Sequence, residues 1–413
     1  MAMHGWRWLY PGMRIKRYLA YLGLGMFLSG VGLSMLLRSY GLLSGAYGGY
    51  IPVLLITVGV LLVFYGVLKT FRSILRLVIP QNRAIVDIIY RKRQLERGAN
   101  VVAIGGGTGL SSLLSGLKNF TSNITAIVTV TDDGGSSGRL RRDLNIPPPG
   151  DIRNCLIALA DSESRMADLL RYRFPTETDL AGHSFGNLFL AALTDITGDF
   201  QQAIQEFANV LAIRGRVLPA SLDNVVLCAE MSDGATVEGE THITRHPAAV
   251  RRLFTKPEQR VASRATLDAI RQADLVVLGP GSLFTSVIPN LLNRGLLAAL
   301  QETKAAVVYV CNVMTQPGET DNYSVGKHLS AIADHTGDPG LIDYVLVNNA
   351  TAPIELVERY RTQGAYQVVI DMDQLAKLPA RVIAADLLSR ENYLRHDSTK
   401  LAHKIMELVA SRS

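Results

Sequence analysis

The stretch from Asn100 to Leu117, NVVAIGGGTGLSSLLSGL, constrains the fold more than any other part of the chain. A short apolar run, Val101 to Ile104, precedes four glycines in five residues and then leucines at helical spacing, which predicts a strand, a tight turn and a helix. Glycines let a ligand approach the backbone, and the first turn of a helix presents unpaired N–H groups, so a phosphate fits there. The turn lacks the Lys-Ser/Thr of a Walker A loop and the full G-x-G-x-x-G spacing. A tight packing turn is therefore the competing interpretation.

Two charge-free segments precede this turn, residues 18–37 and 39–68. Each exceeds or equals the roughly 20 apolar residues that a helix needs to cross a bilayer core. A cleaved signal peptide fits less well, because the first apolar run is too long and a second follows directly. The sequence therefore predicts a transmembrane hairpin over residues 1–68.

Basic residues flank the hairpin on both outer sides and predict that its two ends lie inside. They are Arg7, Arg14, Lys16 and Arg17 before the first span, and Lys69, Arg72, Arg76, Arg83, Arg91, Lys92, Arg93 and Arg97 after the second. This pattern predicts a multi-pass protein of the inner (cytoplasmic) membrane, with a short outer turn near Ser39–Tyr50 and its soluble domain in the cytoplasm. Residues 69–98 are interpreted as a basic juxtamembrane linker, broken at Pro80, which is either solvated or held on anionic lipid.

The glycines of the first span, Gly23, Gly25, Gly30 and Gly32, permit close helix packing, so a homo-oligomer is one possible assembly.

Charge is distributed unevenly along the chain. Residues 1–100 carry 13 basic and 2 acidic side chains, whereas the other 313 residues carry 29 and 34. Because the soluble part is mildly acidic, the sequence argues against nucleic-acid binding. Cys155, Cys228 and Cys311 are widely spaced, which predicts buried thiols in a reducing compartment.

From residue 99 onward, apolar runs alternate with helical segments, which predicts one α/β domain over residues 99–413. Its expected fold class is a Rossmann-like, mostly parallel sheet with helices on both faces. The predicted strands are Val101–Ile104, Ile124–Val130, Val225–Ala229, Leu275–Leu278, Val307–Asn312, Tyr344–Asn348, Val368–Asp371 and Arg381–Ala384. The predicted helices are Ser111–Asn119, Ile152–Asp161, Asn187–Asp195, Phe200–Leu211, Ala262–Ala273, Leu291–Glu302, Asn322–Thr336 and Ser398–Ser411.

Small and polar residues follow four of these strands, where a parallel sheet binds its ligands. Candidates after the strands are Thr131, Asp132, Asp133, Ser136, Ser137 and Arg139, then Gly281, Ser282, Thr285 and Ser286, then Asn312, Thr315, Gln316 and Glu319, and finally Asn348 and Asn349. Together they predict a cleft for a polyanionic, hydroxyl-rich ligand.

Asp132 and Asp133 lie where a Rossmann unit places the acid that holds a ribose hydroxyl. The same pair suits Mg²⁺, which favours one or two carboxylates plus phosphate oxygens. An aspartate that caps a turn is the third interpretation. Ser136, Ser137 and Arg139 are candidates to meet phosphate, whereas Arg141 and Arg142 are interpreted as a solvated face.

Several other polar residues have a structural and a functional interpretation. Asp151 is a candidate N-cap after the proline run, with Arg153 and Asn154 in the first turn. His183, in HSFGN, is either a proton carrier or a buried, hydrogen-bonded histidine.

Zinc binding and covalent catalysis have little support in the sequence. His242 and His246 lie in a predicted strand or hairpin, so zinc binding is not expected, and no nucleophile elbow or Cys–His pair supports covalent catalysis. Tyr323 and Arg395 are either surface residues or contacts to a base and a pyrophosphate.

Taken together, GGGTGLSSLLSGLK, TDDGGSSGRLRRDLNIPPPGDIRNCL, GHSFGNL, RGRVLPAS, GPGSLFTSVIPNLL, CNVMTQPGETDNYSVGKH and RHD closely resemble the gluconeogenesis-factor (YvcK-like) branch of the CofD-like family. The resemblance covers residues 98–411. It implies a Rossmann-like fold and a cytosolic regulatory protein that binds UDP-N-acetylglucosamine and is linked to cell shape and envelope synthesis. The related branch transfers a phospholactyl group from a nucleotide-activated donor and uses a divalent metal, which keeps a metal-dependent transferase as the alternative.

The same resemblance assigns roles to individual positions. It places Gly106, Gly107, Thr108 and Gly109 on phosphate, and Asp132 and Asp133 on ribose or metal. It completes the cleft with Asn187, Gly281, Ser282 and Thr285, and it favours Tyr323 and Arg395 as nucleotide contacts. The hairpin departs from the soluble members of the family. An NAD-dependent oxidoreductase rests on the Rossmann pattern alone and is the weakest alternative.

Overall fold

The computed structural model describes residues 15–40, 50–78, 92–161, 165–175, 177–178, 180–389 and 393–412. The chain divides into two compact units, Met1–Lys92 and Arg93–Ser413, which are described separately. The predicted outer turn, the region around Pro80 and the basic residues before Ile15 lie wholly or largely outside the described residues.

The first unit is a pair of helices, α1 (Ile15–Tyr40) and α2 (Ile51–Val78). Both are long and apolar enough to cross a membrane. They pack through small residues, since a Cβ on Gly25 would lie 2.6 Å from the carbonyl oxygen of Gly59. Helix α2 continues beyond residue 68, so the first part of the predicted linker is helical.

The second unit contains ten strands, counted within the described residues. They are β1 (Val101–Gly105), β2 (Ile124–Val128), β3 (Arg216–Pro219), β4 (Val226–Met231), β5 (Thr236–Glu238), β6 (Val250–Lys256), β7 (Leu275–Leu278), β8 (Ala306–Val310), β9 (Tyr344–Asn348) and β10 (Arg381–Ala385). Seven form one parallel sheet in the order β10-β9-β8-β7-β1-β2-β3. The predicted α/β fold with a mostly parallel sheet is confirmed.

The order of the strands reverses between β1 and β7, because the chain builds outward from β1 to β3 on one side and from β7 to β10 on the other. A crevice forms at such a point beyond the carboxyl ends of the strands, and open α/β sheets bind their ligands there. Strands β1 and β7 are fully buried, with no polar side chain among Val101–Gly105 or Leu275–Leu278. Side chains from the helices therefore cover the two faces of this part of the sheet.

Helices fill both faces of the sheet, and two buried apolar clusters lie on its opposite sides. These helices are α3 (Gly107–Leu117), α4 (Gly135–Leu144), α5 (Gly150–Leu159), α6 (Arg165–Arg171), α7 (Phe185–Thr197), α8 (Phe200–Leu211), α9 (Glu240–Arg245), α10 (Arg264–Arg271), α11 (Ile288–Leu291), α12 (Arg294–Glu302), α13 (Val325–Thr336), α14 (Ile354–Arg361), α15 (Met372–Leu375) and α16 (Ser398–Ala410), with a π-helical turn at Leu283–Val287.

The predicted elements need four corrections. The predicted strand Val225–Ala229 belongs to a separate antiparallel sheet, β5-β4-β6. Val368–Asp371 makes only an isolated bridge, at Val369. The glycine-rich segment after Asp133 is helix α4, and the predicted hairpin that contains His242 forms a strand and the short helix α9. Cys155, Cys228 and Cys311 are all buried and free, as expected.

Candidate functional site

A cavity of about 610 Å³ lies at the carboxyl edge of the parallel sheet, at the point where the strand order reverses. The loops after β1, β7 and β8 all contribute to its wall. The lining includes Gly106, Gly107, Thr108, Gly109, Asp132, Asp151, Glu240, Gly281, Ser282, Ser286, Asn312, Gln316, Met314, Tyr360, Leu394 and Arg395. The loops after β1, β2, β7 and β8 therefore meet in one concave site, whereas Asn348 and Asn349, which were also predicted to converge there, are not part of its lining.

The glycine turn opens helix α3 directly against this cavity. Gly107 has a φ of +66°, a conformation that favours glycine. Its N–H donates to the Asp151 carboxylate at 2.7 Å, whereas the N–H groups of Thr108 and Gly109 have no partner in the described part of the chain. The positive end of the helix dipole and two unpaired donors thus face the cavity.

The same turn is also a close packing contact. A Cβ on Gly109 would lie 2.5 Å from the carbonyl oxygen of Pro280, so only glycine lets the turns after β1 and β7 come this close. Gly109 thus takes part in a packing contact while its N–H stays available to a ligand, so the two interpretations of the glycine turn are compatible.

Three carboxylates line the cavity beside the glycine turn: Asp132, Asp151 and Glu240. Burial raises the pKa of Asp151 to about 6, the Gly107 N–H opposes that shift, and the Asp132 charge adds to it. Burial and the charges of Asp132 and Asp151 raise the pKa of Glu240 well above its usual range. Burial is also the main cause of the raised pKa of Asp132.

Such carboxylates suit a divalent cation, which would remove the repulsion between them and share phosphate oxygens with them. Within the described ranges, no three His, Cys, Asp or Glu side chains are close enough together to hold a metal ion by themselves. Mg²⁺ at Asp132 consequently stays a prediction that depends on oxygens from the ligand.

Arg395 is the one Lys or Arg side chain among the described residues of the lining. Its guanidinium carbon lies 4.8 Å from the ring centroid of Tyr393, which orients the planar group. A guanidinium can donate two parallel hydrogen bonds to a phosphate, so Arg395 is the group best suited to an anion here.

Part of the lining is apolar. Met314 and Leu394 belong to a small buried cluster, and Tyr360 packs against it. All three line the cavity. An aromatic ring beside apolar side chains is a surface on which a planar base can stack.

Hydrogen bonds brace the loops after β7 and β8 against each other. Gln316 donates from Nε2 to Ser282 Oγ at 2.6 Å and accepts from Asn312 Nδ2 at 3.1 Å. Ser282 also forms a hydrogen bond with Glu319. Burial raises the pKa of Glu319 to about 7, although this hydrogen bond lowers it. The predicted residues Ser282 and Asn312 therefore form one connected wall.

A second group of predicted residues lies in a buried network that does not belong to the lining. Asn187 donates to Ser136 Oγ at 3.0 Å and accepts from Arg153 at 2.7 Å, and His183 Nδ1 is 3.0 Å from the same serine oxygen. Arg153 also donates to Ser184. Burial lowers the pKa of Arg153 to about 10. His183 is thus the buried, hydrogen-bonded histidine of the two interpretations.

The remaining predicted residues lie apart from the cavity lining. Asp133 Oδ1 accepts from the N–H and hydroxyl of Thr241, at 3.0 and 2.7 Å, and Arg139 donates to the carbonyl of Ala181. The side chain of Ser137 forms a hydrogen bond with Asp132. Thr285 is buried in the π-helical turn, and Tyr323 packs edge-on against Phe284 at 5.9 Å. Ligand contacts by these residues stay predictions.

Two interpretations of individual residues are wrong. Asp151 does not cap α5, since Pro149 occupies that position and the Asp151 side chain turns to Gly107 instead. Arg141 does not lie on a solvated face, since it is buried and its Nε donates to Asn224 Oδ1. Arg142 is exposed, as expected.

Sequence reasoning missed Glu240 and Tyr360 as lining residues. Glu240 follows Gly239 in a segment interpreted as a hairpin, and the residue carries no local signal of a site. Tyr360 lies on α14, which was not predicted, and α14 has no fully buried residue to give it a clear apolar stripe.

Comparison with known proteins places this chain in a family. A family model described as 2-phospho-L-lactate transferase CofD matches residues 101–388. A protein of Clostridium acetobutylicum is 43% identical over 417 residues, which cover 98% of this chain and 92% of its own. The gluconeogenesis factor of Bacillus subtilis is 48% identical over 310 residues, which cover 75% of this chain and 98% of its own.

A crystal structure from Bacillus halodurans aligns with a TM-score of 0.73 at 47% identity, and the match covers 75% of this chain and 99% of that chain. The Clostridium match extends over the helical hairpin as well. The hairpin therefore occurs in a region shared with some relatives, while others consist almost entirely of the α/β unit.

Proposed function

This chain belongs to the CofD family, and from that membership we propose that it is a regulatory protein that binds a UDP-sugar, UDP-N-acetylglucosamine first of all, in the cavity at the carboxyl edge of its sheet. The observation that carries the proposal is the combination of groups in the lining of that cavity. The start of α3 supplies unpaired N–H groups, Arg395 supplies a positive charge, and Tyr360 supplies an aromatic ring with apolar neighbours. A nucleoside diphosphate sugar has a part that suits each of these groups.

The diphosphate is assigned to the glycine turn and Arg395. The N–H groups of Thr108 and Gly109 donate to its oxygens, and the guanidinium supplies the opposite charge. The uracil ring is assigned to the face of Tyr360, and the sugar hydroxyls to the polar wall of Ser282, Asn312 and Gln316. The volume of about 610 Å³ is within the usual range of small-molecule sites.

We propose regulation rather than turnover for this cavity, since nothing in the described part of its lining supports covalent catalysis. Its lining holds no cysteine, no lysine and no serine paired with a histidine. We assign the output to control of envelope precursor flow and cell shape, which the family resemblance implies; the Bacillus subtilis relative is named gluconeogenesis factor.

The hairpin is assigned to the inner membrane. Helices α1 and α2 are long and apolar enough to cross it, and the excess of basic residues on both outer flanks puts both ends, and the α/β unit, on the cytoplasmic side. The sensor would thus work beside the membrane on which envelope precursors are assembled.

Isothermal titration calorimetry of the detergent-solubilised full chain with UDP-N-acetylglucosamine tests the proposal. We expect one saturable binding event per chain that UDP competes for and that N-acetylglucosamine alone does not. Absence of binding heat, both with and without Mg²⁺, would contradict the proposal.

The carboxylates favour one alternative, a metal-dependent transferase that uses a nucleotide-activated donor. Asp132 would hold Mg²⁺ with phosphate oxygens, and the metal would supply charge stabilisation at the diphosphate. This alternative predicts Mg²⁺-dependent cleavage of a nucleotide donor that is lost in Asp132→Asn and retained in Asp133→Asn, since Asp133 is bonded to Thr241. An intact donor after prolonged incubation counts against it.

A further inference from the structure

The amino edge of the parallel sheet, opposite the cavity described above, carries a second depression of about 730 Å³. It lies where β1, β7 and β8 begin, beside the last turn of α16. We call it the basal surface and define it by Arg97, Asn100, Asp274, Lys304, Met406 and Arg412. Nothing in the proposed nucleotide site uses it.

The basal surface has unpaired positive charge. Arg97, Lys304 and Arg412 are exposed, and none forms an ion pair with a residue in the described ranges. The carboxylate of Asp274 accepts a hydrogen bond from the Asn100 N–H at 2.7 Å, which ties it to the backbone. This concentration of cations is unexpected, because residues 101–413 carry more acidic than basic groups.

Apolar atoms lie between these cations. Met406 and Val409, half-buried in the last two turns of α16, line the same depression together with Ala410. Cations around a small apolar area are typical of a surface that meets the headgroup region of a bilayer, where the charges attract anionic lipid and the apolar atoms lose contact with water.

The chain enters the α/β unit at this same edge. Leu95 is buried, and its carbonyl accepts from the Ser122 N–H at 2.9 Å, which fixes the segment just before β1. Thirteen residues, 79–91, separate α2 from the next described residue. At most about 45 Å of extended chain therefore joins the hairpin to the edge that carries the basal surface.

We propose that the basal surface binds the anionic phospholipid headgroups of the bilayer that α1 and α2 cross. The inference rests on the proposed membrane placement of the hairpin, and it adds an orientation. Since the cavity opens at the opposite edge of the same parallel strands, binding at the basal surface turns the nucleotide site away from the lipid and toward the cytoplasm.

Fluorescence quenching in lipid nanodiscs tests this orientation with the full chain. The three native cysteines are buried, so a single introduced cysteine takes the fluorophore selectively. Ala410→Cys reports on the basal surface, and Gln363→Cys reports on the rim of the cavity. With a headgroup-attached quencher, we expect strong quenching at position 410 and little at 363 in phosphatidylglycerol discs.

The charge contribution is tested by reversal, with a matched control. The basal variant carries Arg97→Glu, Lys304→Glu and Arg412→Glu. The control variant carries Arg142→Glu, Arg251→Glu and Arg252→Glu, three exposed cations elsewhere on the unit with the same change in net charge. We expect quenching at position 410 to fall in the basal variant and in discs of phosphatidylcholine alone, and to persist in the control variant.

A vesicle assay gives the size of the effect. The assay uses residues 93–413, which form one compact unit and contain residues 101–388 of the family match; a crystallised relative is matched over 99% of its chain. Circular dichroism of the fragment first checks that it is folded. At about 1 kcal/mol for each cation near an anionic surface, loss of three cations should weaken its partitioning onto phosphatidylglycerol vesicles by roughly 100-fold, and reversal by more.

Three results would overturn the inference: equal quenching at positions 410 and 363, equal loss in the basal and control variants, or equal partitioning onto neutral and anionic vesicles. Binding of UDP-N-acetylglucosamine to the basal variant is measured separately by calorimetry. It should be unchanged, so failure of the nucleotide proposal is distinguished from failure of this one.

Discussion

The two edges of the parallel sheet are built from the same strands and have opposite chemistry. At the carboxyl edge, glycines and buried carboxylates surround one arginine, and burial raises the pKa of each carboxylate. At the amino edge, exposed cations lie around a few apolar atoms. The net charge of the whole unit therefore does not predict the local charge at either edge.

The difference follows from parallel topology. In a parallel sheet every strand delivers its carboxyl end to the same edge, together with the start of the helix that follows, so backbone donors concentrate there. The amino edge receives helix C-termini, where cations are favoured. Ligand recognition at one edge and attachment at the other therefore require no change in the sheet itself.

Arg395→Ala is the strongest test of the carboxyl edge. Removal of the one Lys or Arg side chain in the described lining should weaken binding of UDP-N-acetylglucosamine by roughly 100-fold, about 3 kcal/mol, because the diphosphate would lose its charged partner. Calorimetry measures the change. The matched variant Arg412→Ala at the amino edge should bind as the unchanged chain does, and comparable losses in both would remove the distinction between the edges.

Asp151→Asn should stabilise the α/β unit above pH 6. Burial raises the pKa of Asp151 from 3.8 to about 6, so its contribution to stability is fully present below pH 3.8 and is lost as pH rises through about 6. The asparagine avoids that loss and still accepts from the Gly107 N–H. The gain at pH 7 should approach about 3 kcal/mol, since each pKa unit corresponds to about 1.36 kcal/mol.

Urea unfolding of residues 93–413 at pH 4 and pH 7 measures this difference, with the exposed Asp373→Asn as the control. The advantage of Asp151→Asn should shrink at pH 4. A gain that is the same at both pH values would show that the carboxylate is not the cause.

Two tyrosines sharpen the boundary of the carboxyl edge. Tyr360→Ala should weaken nucleotide binding by about tenfold with little effect on stability, because the ring lines the cavity and a stacked base contributes on the order of 1–3 kcal/mol. Tyr323→Ala should lower the unfolding midpoint instead, since that ring packs on Phe284. Calorimetry and urea unfolding on both variants separate the two effects, and a reversed pattern would restore Tyr323 as the base contact.

The strands and helices differ in how well the sequence predicted them. Periodic apolar runs predicted strands such as Leu275–Leu278 and Tyr344–Asn348 at their observed bounds, because a strand buried on both faces has a continuous apolar signal. Loops at the ends of adjacent parallel strands could likewise be predicted to converge. Helix α4 was missed, because Gly-Gly-Ser-Ser-Gly has poor intrinsic helix propensity and tertiary packing decides its conformation.

Most of the predicted residues that line the cavity follow a strand, whereas Arg395 was predicted from the RHD motif. Ser282 and Asn312 follow β7 and β8 and line the cavity, whereas Glu240 comes from a short helix after the small antiparallel sheet. Asp133 has the same sequence signal as Asp132 but faces Thr241, since neighbouring side chains point in different directions. Which of two adjacent acids faces a ligand depends on packing that no local pattern records.

The pH dependence of binding is the finest test of the carboxyl edge, because its sign depends on Mg²⁺. The diphosphate of a UDP-sugar keeps its charge between pH 5 and 7.5, so titration of the protein dominates. Without a divalent cation, protonation of Asp151 around pH 6 removes a repulsive charge, and affinity should rise by about fivefold, on the order of 1 kcal/mol, as pH falls. With Mg²⁺ the carboxylates must be charged to bind the metal, so affinity should fall over the same interval. Calorimetry across this pH range, in EDTA and in Mg²⁺, distinguishes the two cases. In EDTA, the affinity of Asp151→Asn should depend little on pH. An equal rise in affinity in both media as pH falls would mean that no metal binds with the ligand at these carboxylates.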